Sequence, residues 1–166
     1  MIVIETERLY LKEFSLSDAE SMYALNLDLE VLKYTGDEPF NSIEEARDFI
    51  ENYKQYQLYG FGRWSVFIKE RNEYIGWCGL KYTEDKNEYD IGFRFLKEHW
   101  NKGFATETAA ACLNFGFENL QIDRIVGRAM SVNFASIKVL EKIGMQFNRE
   151  FDFDGEPGVI YEIDRG

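Results

Sequence analysis

One stretch constrains what this chain can fold into more than any other: Glu98-His99-Trp100-Asn101-Lys102-Gly103-Phe104-Ala105-Thr106-Glu107. A strand-like run, Tyr89 to Leu96, leads into it, and a helix-like run, Thr106 to Leu120, leads out. A strand that turns tightly into a helix leaves several backbone N–H groups without partners, all facing one way. Together with the positive end of the helix dipole they form an anion site. Gly103 has no side chain to block an anion, and Ala105 has almost none. The turn is therefore where the diphosphate of a cofactor is expected to sit.

The rest of the chain suits a single domain spanning residues 1–166. A chain of this length buries roughly 70% of its unfolded surface and needs no disulfide or metal staple. Cys78 and Cys112 fall inside a strand-like and a helix-like run, which suits buried free thiols. The lone histidine, His99, has no Cys or Asp cluster at ligand spacing, so no metal is expected. Net charge is −11, from 19 basic and 30 acidic residues, which argues against a nucleic-acid surface and permits a cationic substrate, a solvated acidic surface with no steering role being the other reading. Met1 to Glu5 lacks the basic start of a signal peptide, and no apolar run approaches the roughly 20 residues needed to span a bilayer. The expectation is a cytoplasmic protein with no membrane partner.

Alternation and helical spacing divide the chain into elements. Arg8 to Glu13 reads as a strand. Ser17-Asp18 can cap a helix to about Leu27, and a helical turn can cover Leu29 to Tyr34. Ser42 and Glu45 have capping-box spacing for a helix expected to run to about Tyr59. Trp64 to Lys69 and Tyr74 to Tyr82 alternate, with Arg71-Asn72 as a hairpin turn; Tyr89 to Leu96 is the next strand. After the helix from Thr106 come a strand, Arg124 to Val132, and a helix, Ser136 to Ile143, stopped by Gly144. Met145 to Phe153 and Val159 to Ile163 close the chain across Asp154-Gly155. The order predicts an α/β (α+β) domain: one central, mostly antiparallel twisted sheet flanked by about four helices.

Four pieces of this order resemble the GNAT superfamily of N-acetyltransferases, in particular its branch that acetylates ribosomal-protein N-termini. They are Thr6-Glu7-Arg8-Leu9-Tyr10-Leu11-Lys12, Tyr89-Asp90-Ile91-Gly92-Phe93-Arg94-Phe95, the turn Trp100 to Glu107, and Asn133-Phe134-Ala135-Ser136 followed by Leu140-Glu141-Lys142-Ile143-Gly144-Met145. The resemblance spans nearly the whole chain. Trp100 stands where the superfamily usually has Gln or Arg, and Asn101 where the branch usually has glycine. Asparagine tolerates left-handed backbone angles better than most residues, so the turn can survive the exchange.

The resemblance implies a single acetyltransferase domain with acetyl-CoA as co-substrate and no metal. The backbone of Phe93, Arg94 and Phe95 would pair with the pantetheine arm as an added strand. The backbone of Asn101, Lys102, Gly103, Phe104, Ala105 and Thr106 would hold the pyrophosphate. Asn133 would bond the cofactor near its acetyl end; it can equally cap the helix at Ser136. Ser136 stands where the branch places a hydroxyl near the sulfur, so it is the candidate acid for the thiolate; ordinary first-turn helix chemistry is the other reading. Asp90 is the candidate base, with Glu88 and Tyr89 beside it; an ion-paired sheet residue and a water chain are the alternatives. Glu150, Asp152, Asp154 and Glu156 crowd the last hairpin, as an acidic acceptor mouth or a solvated edge. The implied acceptor is an amine, at a protein N-terminus or on a small molecule such as a polyamine. An acyl-CoA-binding sensor without turnover is the competing class. A homodimer is compatible with this reading.

Overall fold

The computed structural model describes residues 1–166 as one eight-stranded sheet with helices on both faces. Its strands are β1 (Ile2–Glu5), β2 (Leu9–Glu13), β3 (Arg63–Ile68), β4 (Glu73–Thr83), β5 (Glu88–Phe95), β6 (Arg124–Met130), β7 (Gln146–Phe153) and β8 (Glu156–Asp164). They lie in the order β1-β2-β3-β4-β5-β6-β8-β7. Every neighbouring pair is antiparallel except β5 and β6. That one parallel step requires a crossover, and α5 (Phe104–Glu118) supplies it.

The crossover helix presents Ala109, Cys112 and Leu113 to a core that also holds Trp64, Ile75, Cys78, Leu80, Ile91 and Ile125. At Gly116 an added Cβ would lie 2.9 Å from Leu80 Cδ1 and 3.0 Å from Ile125 Cδ1, so helix and sheet pack closely there and a side chain would require those two to shift. The other face is covered by α1 (Ala19–Leu25), α2 (Leu29–Leu32) and α3 (Ile43–Glu51), where Ala19, Met22, Ala46 and Ile50 form a second small core. The buried Asp18 anchors this layer. Its carboxylate accepts from Ser65 Oγ on β3 at 2.8 Å and from the Ser15 N–H at 3.0 Å.

Three boundaries differ from the sequence reading. Ile2–Glu5 is a strand that its short, non-alternating apolar run did not signal. The capping residue at the first helix is Ser15, whose side chain accepts from the Ser17 N–H and opens a short 3₁₀ turn, Leu16–Asp18, ahead of α1. The helix opened by Ser42 stops at Asn52, and α4 (Gln55–Tyr59) follows as a separate piece. That break aims two phenols at one spot: Tyr53 Oη accepts from the Arg63 N–H at 2.7 Å, and Tyr56 Oη donates to the Arg63 carbonyl. Together they pin the start of β3. With α2 and α4 counted, the sheet carries six α-helices where about four were expected.

Candidate active site

Two strands that should run side by side come apart at the centre of the sheet. β5 and β6 pair only at Asp90–Val126 and Ile91–Gly127. Beyond those pairs β5 continues to Phe95 and β6 to Met130 with no paired residues between them. The backbone of Gly92 to Phe95 thus borders an open wedge on its β6 side. The end of β5 is held by Trp100, whose Nε1 donates to the Phe95 carbonyl at 2.8 Å.

The turn into α5 lies at this end of the wedge. Asn101 has φ 60° and Gly103 φ 81°, so two left-handed residues flank Lys102. Asparagine does adopt the conformation that the glycine of the ribosomal branch would have supplied. The backbone N–H groups of Asn101, Lys102, Gly103, Phe104, Ala105 and Thr106 donate to nothing within the chain; the first bond of the helix runs from the Glu107 N–H to the Gly103 carbonyl at 3.0 Å. A run of unpaired donors at the start of a 15-residue helix suits a diphosphate. The chain's residues therefore fit the diphosphate of coenzyme A. Lys102 is exposed, and its side chain bonds nothing.

Asn133 and Ser136 sit at the start of α6 (Phe134–Lys142), which follows β6 on the far side of the wedge. Asn133 Oδ1 accepts from the Ser136 N–H at 3.3 Å, and Asn133 Nδ2 donates to Ser136 Oγ at 3.0 Å. The helix-cap reading of Asn133 holds, and the same side chain orients the hydroxyl. Because Oγ already accepts, its own proton is free to donate elsewhere.

Side chains of β5 alternate between the two faces. Ile91 and Phe95 enter the core beneath α5, while Asp90 and Arg94 face the α1–α3 layer. Asp90 is not a free carboxylate. Its Oδ1 accepts from Arg63 Nη2 at 2.6 Å, with both side chains only 16% exposed, and Arg63 Nη1 donates to the Asp90 and Gly79 carbonyls. Glu88 is likewise paired, with Arg128. Tyr89 packs against Tyr82 and Phe61 on the opposite face. Sequence reasoning allowed an ion-paired Asp90 but named neither partner, since the paired residues are 27 and 40 positions apart.

Arg94 binds the segment that follows α1. Its guanidinium donates to Asn26 Oδ1 and to Asp37 Oδ2, both at 2.6 Å, above the ring of Trp77. One residue earlier, Gly36 lies against the last hairpin: a Cβ there would be 3.0 Å from Asp154 Oδ2. The segment around Gly36 and Asp37 thus reaches from β5 to the β7–β8 hairpin. The acidic hairpin residues Glu150, Asp152, Asp154 and Glu156 are all exposed, and Asp154 is the one this contact brings to the segment.

The turn is also gripped from behind by the first hairpin, whose opening motif was marked in the sequence without a task. Glu107 accepts from Thr6 Oγ1 at 2.6 Å, from the Arg8 N–H at 3.0 Å and from Arg8 Nε at 2.7 Å. Burial opposes ionisation of Glu107, but these donors outweigh it and hold the carboxyl below its ordinary value of 4.5.

Residues 8–146 match the family model of the acetyltransferase (GNAT) domain. This chain belongs to the GNAT acetyltransferase family. A relative in Bacillus licheniformis carrying the name N-acetyltransferase is 35% identical over 148 residues, covering 88% of this chain and 83% of the relative. The solved GNAT acetyltransferase of Bacillus anthracis superposes with a TM-score of 0.85 at 28% identity, covering 99% of both chains. The spermidine N-acetyltransferase of Vibrio cholerae, solved with CoA and spermine, shares the fold with a TM-score of 0.80 at 19% identity, over 95% of this chain and 96% of that one. Membership makes the protein an acetyl-CoA-dependent N-acetyltransferase. Its helices include none long and apolar enough to cross a membrane.

Proposed function

We propose that this protein acetylates the α-amine of a protein N-terminus, using residues 1–166 as one catalytic domain. The observation that carries the reading is the wedge between β5 and β6 opening beside six unpaired N–H groups at the start of α5. A long, narrow ligand with a diphosphate at one end and an extended amide arm at the other suits that shape. When bound, acetyl-CoA supplies an activated acetyl thioester.

The chain's own groups have separate tasks in this reading. The N–H groups of Asn101 to Thr106 bind the diphosphate, and the free edge of Phe93 to Phe95 bonds the amide arm. Asn133 holds Ser136 so that its hydroxyl proton is directed to the departing sulfur. Asp90 is engaged by Arg63, and we assign it to holding β5 in place; the proton of the attacking amine leaves through water. We place the acceptor's entry beside the contact between the Gly36–Asp37 segment and the β7–β8 hairpin. The N-terminal acceptor rests on the resemblance to the ribosomal-protein branch.

A second reading, a small polyamine as acceptor, is favoured by one contact. Asp154 lies against Gly36 beside Asp37, placing carboxylates on the rim where a cationic chain would enter. A thiol-release assay with acetyl-CoA separates the two. Release with short peptides supports N-terminal acetylation. Release with polyamines alone moves the protein to the second reading. Release with neither, while acetyl-CoA binds, removes both.

A further inference from the structure

We infer that Arg8, clamped by Glu107, is a positioning residue that aims the diphosphate-binding turn. The inference rests on the cofactor site proposed above and adds to it a group from outside the turn, on the link between β1 and β2. Arg8 contacts the turn in two places. Its Nη1 donates to the Lys102 carbonyl at 2.9 Å, and its guanidinium carbon lies 4.4 Å from the centre of the Phe104 ring. Glu107, one turn further into α5, accepts from Arg8 Nε on Oε1 and from the Arg8 backbone N–H on Oε2, and Thr6 Oγ1 also donates to Oε2.

The bond to the Lys102 carbonyl has a geometric consequence. A trans peptide points its C=O and the following N–H in opposite directions. With the Lys102 carbonyl held toward Arg8, the Gly103 N–H is held away from it, outward from the clasp. Gly103 is left-handed and has no side chain, so little else fixes that peptide plane. The clasp therefore determines where one of the unpaired donors points. Lys102 and Gly103 are exposed, and a peptide in such a turn would otherwise rotate freely. Arg8 is neutralised by Glu107, so its effect on an anion is one of geometry and not of added charge.

This distinguishes the clasp from a simple cationic contact. The test measures dissociation constants for CoA and for adenosine 3′-phosphate 5′-diphosphate, which carries the diphosphate without the pantetheine arm. Parent, R8A, R8K, E107Q and R8A/E107Q proteins are compared, and the melting temperature of each is recorded without ligand. R8A is expected to weaken both ligands by the same factor, about tenfold, the scale of one well-aligned bond to a charged group. E107Q loosens the clamp but also leaves Arg8 with an unpaired positive charge near the diphosphate, so it weakens both ligands by less than R8A and steepens their dependence on salt. R8K keeps the charge but lacks the planar fork that reaches Glu107 and Lys102 together, and so stays near R8A. The slope of affinity against salt is the same in parent and in the double variant R8A/E107Q, which removes the pair without changing the net charge. Parent-like constants in R8A, or full recovery in R8K, overturn the clasp while leaving the cofactor site standing. A parent protein that binds neither ligand overturns the site and the inference with it.

Discussion

Asn133 and Ser136 bind each other twice, the amide oxygen taking the serine N–H at 3.3 Å and the amide nitrogen giving a proton to the serine oxygen at 3.0 Å. One side chain thus starts helix α6 and fixes the direction in which a hydroxyl can donate.

Replacing Ser136 by alanine keeps the cap but removes the donor. Turnover is expected to fall about 10- to 100-fold, while the affinity for acetyl-CoA stays within about twofold of the parent. Replacing Asn133 by alanine removes the cap as well, at a cost of about 1 kcal/mol in stability, and weakens acetyl-CoA binding. Steady-state kinetics beside direct binding measurements resolve the two. Parent kinetics in Ser136→Ala would take the hydroxyl out of the mechanism.

The pair Arg63–Asp90 makes an opposite prediction. Arg63 is mostly buried and also bonds two backbone carbonyls, so Asp90→Asn leaves a guanidinium short of its counter-charge. Stability should drop by about 1–3 kcal/mol, with turnover within about tenfold of the parent if the residue only braces β5. Urea denaturation and the pH–rate profile check this together. Loss of the profile's acidic limb with unchanged stability would reinstate Asp90 as the base.

Glu107 supplies a pH dependence of known sign. Its folded carboxyl ionises below the ordinary value of 4.5, so folding favours the charged form. Its contribution to stability is present above about pH 4.5 and fades as the pH falls through the lower folded value. Parent and Glu107→Gln proteins should differ in melting temperature near neutrality and converge in more acidic solution. A gap that persists through that range would show that the carboxylate's charge is not what the clasp uses.

Cys78 and Cys112 face each other in the core with sulfurs 3.7 Å apart and no exposed surface. Burial, reinforced by the neighbouring thiol of Cys78, pushes the Cys112 thiol well above its ordinary value of 9.0. Neither should react with an aromatic disulfide reagent in the native protein near neutral pH, and both should react in denaturant. Rapid labelling of the folded protein would contradict that burial.

How far the sequence reached depended on the range of the interaction. The strand–turn–helix around Gly103 and the cap at Asn133 involve residues within a few positions of each other, and local patterns describe such arrangements well. Asn101 is the clearest case, since a preference for left-handed angles belongs to the residue itself. Breaks were harder to see. The helix from Ser42 keeps its apolar spacing through Tyr53 yet stops at Asn52, and the break lets Tyr53 and Tyr56 both meet Arg63, a distant partner that local spacing does not show. Long-range partners left no local trace. Arg8 and Glu107 both lie in motifs that the sequence marked out, yet 99 residues separate them. Asp90 was open to two readings, a base or an ion-paired sheet residue, and nothing nearby in the chain announces Arg63 as its partner.

The sheet is least continuous where β5 meets β6, a seam closed by two residue pairs. Strands β1 to β5 lie on one side of it, and β6, β8 and β7 on the other. A ligand lying along the open part of that seam would act as a missing strand, lending the two halves hydrogen bonds that the polypeptide does not make. Cofactor loading would then stiffen the sheet across its whole width, and departure of the spent thiol would loosen it again. On the proposed site, the co-substrate would also be a temporary structural member.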